Sequence, residues 1–357
     1  MVALAVFTTY VVMDTFVITR VYGEAADSGS GTEAALQADN DNTEGQTEES
    51  TADGSEGSAA DDAESGHAHG KGGMHGDSSG GPPSGGPGHG GKHSKSKSSS
   101  SGSTSSSTGT SSASTVDSYS DDNISIKLNE YTVSGTVVHV AEVKADPEYL
   151  KTAFAQGSYG KNVTAATSDI ADSVNAILAI NGDYYGAQEK GYVIRNGKLY
   201  RSTAVSGKED LVIYKDGSFE IISESEVAAE QLIAKGAVQT LSFGPALLEN
   251  GAVMVDSDDE VGRAKASNPR TAIGIKADGT YLFVVSDGRT DESEGLSLLQ
   301  LAEFMKTLGA ETAYNLDGGG SSTMVFNGSV VNTPTGGGVG NGSGSERKVS
   351  DIVYIGY

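Results

Sequence analysis

The sequence predicts an α+β fold: a mixed, mostly antiparallel sheet with a few packed helices, in a single globular domain after a disordered linker. Three observations carry that expectation. Five Asn/Asp-Gly pairs, at Asn196-Gly197, Asp216-Gly217, Asn250-Gly251, Asp278-Gly279 and Asn327-Gly328, each sit between apolar runs, the pattern of tight antiparallel hairpins. The run Ala176-Ile177-Leu178-Ala179-Ile180 is continuously apolar, as in a strand covered on both faces. Between Ser297 and Leu308, the residues Leu298, Leu301, Ala302, Met305 and Leu308 share one helical face, which predicts an amphipathic helix.

In chain order, Met1 to Thr19 is apolar apart from Asp14 and a few Thr and Tyr, close to the length that spans a bilayer. Residues 1–22 therefore read as an N-terminal membrane anchor. No basic residues precede the segment and no small-residue cleavage site follows, so an uncleaved anchor fits better than a cleaved signal peptide. The missing basic flank suggests that the sequence starts slightly late. Asp14 is costly in hydrocarbon, and a buried N-terminal helix is the competing reading. Orientation is not readable from charge, because Arg20 is the only basic residue near the span.

Residues 23–122 read as a Ser/Gly/acidic linker. From residue 24 onward it carries 17 acids, 4 bases and almost no aromatics, too little apolar surface to fold. A flexible chain of this length reaches about 50–60 Å. Five of the six histidines, His67, His69, His75, His89 and His93, lie between Gly66 and Lys97. Their Gly-rich spacing suits weak metal chelation, although a low-complexity spacer that happens to carry histidine is the plainer reading. The net charge of −24 offers no basic face for nucleic acid. The absence of cysteine excludes disulfides and thiolate metal sites.

The folded domain is expected over residues 123–357. Thr132 to Val143 alternates as a strand carrying His139, and a lone histidine there is more often packed or surface-lying than catalytic. Asp146-Pro147 predicts a short helix ending near Gly157. Further helices are expected from Thr167 to Asn175 and from Glu224 to Lys235. The helix at 297–308 opens with a Ser297/Gln300 capping box and closes at Gly309.

The candidate site gathers at strand ends. Asn315-Leu316-Asp317-Gly318-Gly319-Gly320-Ser321-Ser322 places an acid, an amide, three glycines and two hydroxyls where a strand should stop. Three successive glycines let backbone N–H groups approach a ligand closely, and such arrays bind anions. A tight connection with Asp317 as a turn residue is the alternative. Asn181-Gly182-Asp183-Tyr184-Tyr185 ends the apolar run. Arg270 precedes an apolar strand, Arg289 follows one in Ser286-Asp287-Gly288-Arg289, and Arg195 precedes Asn196-Gly197. Guanidinium forks match phosphate oxygens. The chain has neither a Gly-x-Ser-x-Gly elbow nor the lysine of a nucleotide P-loop.

The stretch Asn315–Ser322 resembles the signature of the phosphodiester glycosidase family. Ala179–Tyr185, Asn268–Gly274 and Arg347–Asp351 fit the same resemblance, in order, across the C-terminal half. The family includes an animal lysosomal enzyme that removes N-acetylglucosamine from phosphodiesters, and bacterial exopolysaccharide-related proteins. The resemblance implies hydrolysis of a glycosyl-1-phosphate diester, plausibly in a cell-surface or exopolysaccharide glycan. A non-catalytic module that binds anionic glycan and a phosphodiesterase that cleaves P–O are the competing readings.

Such chemistry needs a carboxylate near the sugar and cations for the departing phosphate. Asp317 and Asp183 are expected to be the reacting pair, with Asp287 orienting Arg289 or a water, although Asp183 also fits a turn acid. Arg270 is expected to be the first phosphate ligand, then Arg289, then Arg195. Asn181, Asn315, Gly318, Gly319, Gly320, Ser321 and Ser322 complete the cradle. No cofactor is required, although the Asp and Asn oxygens would suit Ca²⁺ or Mg²⁺. The expected partners are a carbohydrate phosphodiester and, through the N-terminal segment, a membrane. A Gly/Ser spacer reaching out from a membrane favours an extracellular catalytic domain, and the lack of disulfides suits a Gram-positive surface.

Overall fold

The computed structural model describes residues 20–24, 113–257, 267–336 and 344–357. The expected anchor up to Thr19, the histidine-bearing tract and Arg263 lie outside the described residues. In chain order the elements are β1 (Arg20–Glu24), β2 (Ser114–Ser120), β3 (Ile124–Val133), β4 (Thr136–Ala145), β5 (Leu150–Phe154), β6 (Ser158–Lys161), α1 (Thr167–Ser173), β7 (Leu178–Asn181), β8 (Val193–Arg195) and β9 (Lys198–Arg201). Then come β10 (Glu209–Tyr214), β11 (Phe219–Ser223), α2 (Ala229–Lys235), β12 (Ala237–Leu241), β13 (Ala246–Glu249), β14 (Ala252–Val253), β15 (Arg270–Lys276) and β16 (Tyr281–Ser286). The chain closes with α3 (Leu298–Thr307), β17 (Ala310–Asn315), β18 (Met324–Phe326), β19 (Ser329–Val330) and β20 (Asp351–Ile355).

Two sheets dominate. One has eight strands in the order β14-β13-β17-β15-β16-β4-β3-β2, and the other has five in the order β19-β18-β7-β20-β5. Every ladder between these strands is antiparallel, as the Asn/Asp-Gly turns predict. All five pairs turn a hairpin, and at Asn196, Asn250 and Asn327 even the non-glycine residue has φ near +50°.

The sheets pack face to face. Ile126, Val143, Phe283 and Tyr314 of the larger sheet form one core cluster with Leu178, Ile180, Met324 and Val353 of the smaller. The outer face of the larger sheet buries Val140, Val284 and Ala272 under Leu298, Leu301 and Met305 of α3. The outer face of the smaller sheet buries Ala179 and Ile352 under Ile170 and Ala171 of α1. With both faces covered, central strands such as Tyr281–Ser286 are buried at every position. That is why they read as continuous apolar runs rather than alternating ones.

Four expectations need correction. The strand expected over Thr132–Val143 is a hairpin, turned at Ser134 (φ 50°) and Gly135 (φ 76°). The helix expected after Pro147 is a single 3₁₀ turn followed by β5. Leu150, Thr152 and Phe154 alternate inward there, and that period of two prevails over the Pro start signal. The helix expected from Glu224 begins only at Ala229, because the Glu224 carboxylate turns back to accept from the Tyr192 and Val205 amides. Order also starts before residue 123: β2 pairs along β3 although its side chains are nearly all exposed. Held mainly by backbone pairing, with one side-chain bond from Thr115 to Asn129 and Tyr119 packed on the core, it leaves no hydrophobic pattern. Within residues 1–22, Arg20–Val21 and Tyr22 belong to β1, a strand antiparallel to β6. Among the described residues no helix is long and apolar enough to cross a membrane.

Candidate active site

Several strand ends meet where the two sheets are joined. Asn315 ends β17 opposite Ala272 of β15, Arg270 starts β15 opposite Ser286 at the end of β16, and Asn181 ends β7 opposite Ile352 of β20. The chain leaves the larger sheet at Asn315 and enters the smaller one at Met324, so the glycine-rich stretch is the crossing between sheets.

Asn181 fastens that crossing. Its Nδ2 donates to the Asp317 carbonyl at 2.6 Å, and its Oδ1 accepts from Thr271 Oγ1 at 2.8 Å and from the Thr323 amide at 3.2 Å. The Nδ2 of Asn315 donates to the Gly244 carbonyl at 2.8 Å. Both asparagines, expected in the substrate cradle, are buried and spend these groups on holding the loop.

The glycine turn is a close approach. Gly319 has φ +62°, and a Cβ there would lie 3.0 Å from Arg289 Nη2, so the guanidinium rests directly on the backbone. The Gly319 amide donates to the Pro269 carbonyl at 2.8 Å, and Ser321 and Ser322 close a 3₁₀ turn onto Gly318 and Gly319. Ser322 Oγ and Thr323 Oγ1 are buried without partners among the described residues.

Asp317 emerges from this turn with 15% of its side chain exposed. Arg347 Nη2 donates to its two oxygens at 2.9 and 3.1 Å, and Ser321 Oγ donates to Oδ2 at 2.6 Å. Arg347 Nε in turn donates to Ser321 Oγ at 2.7 Å, closing a three-membered ring of contacts. Burial pushes the Asp317 carboxyl above its ordinary value, with Asp183 adding to the rise and Arg347 and Ser321 opposing it. Arg347 is 48% exposed and had no predicted role. Its signal was there, as a cation inside the terminal motif Arg347–Asp351, but its pairing with Asp317 spans 30 residues.

Deeper lies a second carboxylate–guanidinium group. Arg195 Nη2 contacts Asp183 Oδ2 at 3.0 Å and Asp351 Oδ2 at 2.8 Å, with all three side chains essentially unexposed. Its Nη1 donates to the Ile194 and Thr240 carbonyls. Asp183 also accepts from the Tyr185 amide at 2.9 Å and the Ser242 amide at 2.8 Å. Arg195, expected among the phosphate ligands, is thus buried with its guanidinium engaged by protein groups, and Asp183, expected as a reactant, is buried at the centre of this cluster. Burial raises the Asp351 carboxyl to about 8, with Asp183 and Asp317 adding and Arg195 opposing. Its Oδ1 has no partner among the described residues, and a Cβ on Gly182 would lie 2.4 Å from that oxygen. Only glycine fits beside it.

Arg270, expected first among the phosphate ligands, is buried, with Nε donating to the Leu296 carbonyl at 2.8 Å. Arg289 is exposed and donates from Nη2 to Asn268 Oδ1 at 2.8 Å. Asp287 does not orient it. Asp287 accepts from the Thr333 amide at 2.8 Å and lies 3.8 Å from His139 Nε2, facing a cavity of about 330 Å³ shared with Glu130 and Glu292. Burial alone would raise Asp287, but His139 and the Thr333 amide hold it below the usual value. Among the described residues no group of three or more His, Asp or Glu side chains is placed to hold a metal ion.

The antiparallel two-sheet stack thus gathers a carboxylate, two guanidinium groups and a glycine turn at its crossing. Residues 174–356, more than half the chain, match the phosphodiester glycosidase family, and the chain belongs to that family. It is 29% identical over 240 residues to the mouse (Mus musculus) N-acetylglucosamine-1-phosphodiester alpha-N-acetylglucosaminidase, covering 62% of this chain and 46% of that protein. It is 28% identical over 204 residues to the SPbeta prophage-derived uncharacterized protein YomE of Bacillus subtilis (strain 168), covering 56% and 31%. The chain thus spans less than half the length of these relatives. The fold matches the zebrafish N-acetylglucosamine-1-phosphodiester alpha-N-acetylglucosaminidase catalytic domain, auto-inhibited by its pro-peptide, with a TM-score of 0.54 at 23% identity over 69% of this chain and 88% of that one.

Proposed function

We propose that the chain hydrolyses a glycosyl-1-phosphate diester by breaking the bond between the anomeric carbon and the phosphate oxygen. The observation that carries this reading is the Asp317–Arg347 pair, a partly exposed carboxylate and guanidinium at the glycine crossing. When a phosphate arrives, its oxygens compete for the half-exposed Arg347 fork, which releases the Asp317 carboxylate next to the sugar. A carboxylate whose burial already raises its proton affinity is a stronger base for a water than an ordinary aspartate. Water oxygen bonds to the anomeric carbon, its proton passes to Asp317, and the C–O bond breaks. The phosphate monoester leaves as an anion, needing no proton. Arg347 and Arg289 receive its growing charge, the kind of preorganised stabilisation that lowers barriers most.

The sugar we favour is N-acetylglucosamine, on the names of the animal relatives. A cell-surface or exopolysaccharide glycan is the setting we favour, at the outer face of a membrane, because an apolar N-terminal stretch and a long acidic Gly/Ser tract precede the domain. The test is hydrolysis of UDP-N-acetylglucosamine and simpler glycosyl phosphodiesters in ¹⁸O-water. Label on the anomeric hydroxyl supports the glycosidase reading. Label in phosphate means attack at phosphorus and overturns it.

A further inference from the structure

Tyr184 is 38% exposed, a large aromatic ring open to solvent directly after the buried Asp183. It packs edge-to-face on Phe243 at 5.3 Å between centroids and 64° between planes. Both rings are tied to the catalytic crossing through backbone. The Gly182 carbonyl accepts from the Asp317 amide at 3.3 Å, and the Gly244 amide donates to the Asn315 carbonyl at 3.1 Å. Tyr184 is thus two residues, at most about 7 Å of chain, from backbone touching Asp317, and Phe243 is one residue from backbone touching Asn315. The loop under Phe243 is further held by Lys208 Nζ, which donates to the Phe243 carbonyl at 2.8 Å, and by the Ser242 amide on Asp183.

Asp317 therefore has two unlike flanks. On its C-terminal side stand the cations: Arg347 on its carboxylate, on Ser321 and on the Gly318 carbonyl, and Arg289 against Gly319. On its N-terminal side the backbone that touches Asp317 and Asn315 leads within two residues to the aromatics. A glycosyl phosphodiester has the same polarity, an anion at one end and at the other a ring whose axial C–H groups make an apolar face. Aromatic faces carry negative potential and attract such weakly positive hydrogens. Pockets that orient polar ligands characteristically combine one apolar wall with a few placed polar groups.

We propose that Tyr184, braced by Phe243, is the platform on which the substrate's sugar ring stacks, so that these two residues select the glycone while Arg347 and Arg289 take the phosphate. The proposal rests on the glycosidase reading for the identity of the ligand, and its test separates the two. In kinetics with UDP-N-acetylglucosamine, Tyr184→Ala is expected to raise KM about tenfold, the order of an aromatic contact. Because stacking serves ground and transition states alike, kcat should stay within about threefold. Tyr184→Phe, which keeps the ring, should hold KM within about threefold of the parent. Phe243→Leu should raise KM less than Tyr184→Ala.

An unchanged KM in an active Tyr184→Ala protein overturns the platform, as does a fall in kcat alone, which would make Tyr184 a positioning residue for Asp183. Should the parent protein cleave no glycosyl phosphodiester, the glycosidase reading fails and the platform is read separately. Saturation-transfer NMR with methyl α-N-acetylglucosaminide then decides it: transfer lost in Tyr184→Ala and kept in Tyr184→Phe supports the platform. No transfer from the parent protein to the glycoside overturns it.

Discussion

The two carboxylate–guanidinium groups at the sheet crossing use the same chemistry in opposite settings. Arg347 meets Asp317 at the surface, where the guanidinium is 48% exposed, and an exposed pair contributes little to stability. Arg195 meets Asp183 and Asp351 with no exposure to speak of, where no water can stand in for a lost partner. The outer pair is free to exchange partners when an anion arrives; the inner group cannot exchange anything without unfolding its surroundings. Their contact distances, 2.8 to 3.0 Å, are alike. Burial distinguishes them.

The largest effect expected from breaking this contrast is at the inner group. Arg195→Met leaves two buried carboxylates facing each other, and removing one partner of a buried ion pair costs about 3–5 kcal/mol. Thermal or urea unfolding should show this loss with or without ligand. The matching change outside, Arg347→Met, should move the unfolding midpoint hardly at all. Equal losses in both variants would mean that the inner and outer groups are not different in kind.

Next comes turnover. Asp317→Asn keeps the shape of the side chain and its bond from Ser321 but removes the base, so kcat should fall by about 10²–10⁴ with the fold intact. Circular dichroism and product formation measured on the same sample check it. Retained turnover would mean that Asp317 is not the base. Arg347→Met should lower kcat by about 10²–10³, the usual loss of a charge-stabilising donor. It should also shift the acid limb of the pH–rate profile. Arg347 favours the ionised form of Asp317, so its removal raises that carboxyl further and activity should be lost at a higher pH than in the parent.

What the residues revealed in advance divides along the same line. The hairpins, the α3 helix with its Ser297 cap, and Asp317 in its glycine setting were legible because each is a local pattern. Arg195 was assigned to phosphate because a turn arginine looks the same whether it faces water or lies under β12. Its partners Asp183 and Asp351 lie 12 and 156 residues away in the sequence. Arg347 and Asp351 sat together in a recognised motif, yet nothing local says that one faces out to Asp317 and the other in to Arg195. Strand β20 makes that division, since Asp351 is its first residue and Arg347 precedes it in the loop. Strand β2 left no trace because its stability comes mainly from backbone pairing, which leaves composition unconstrained.

The finest test of the inner group is Asp351→Asn, whose effect should be smallest at the acid end of the pH range, where native and unfolded carboxyls are both protonated. Burial, with Asp183 and Asp317 nearby, raises Asp351 to about 8. At pH 7 the native carboxyl is therefore mostly protonated, and an amide of the same shape can take its place without the proton uptake that folding of the parent requires there. The pH dependence should differ accordingly. An unfolded aspartate releases its proton near pH 4, while the native one holds it to about 8. Between those values the folded state binds more protons, so stability falls as pH rises through that window and levels off above it. Asparagine cannot titrate, so the variant's unfolding midpoint should decline less from pH 5 to pH 8, and the two curves should converge toward the acid end or cross. A parent protein whose stability rises with pH across this window, with the variant parallel to it, would show that Asp351 is ionised in the fold and that Arg195 faces two full negative charges.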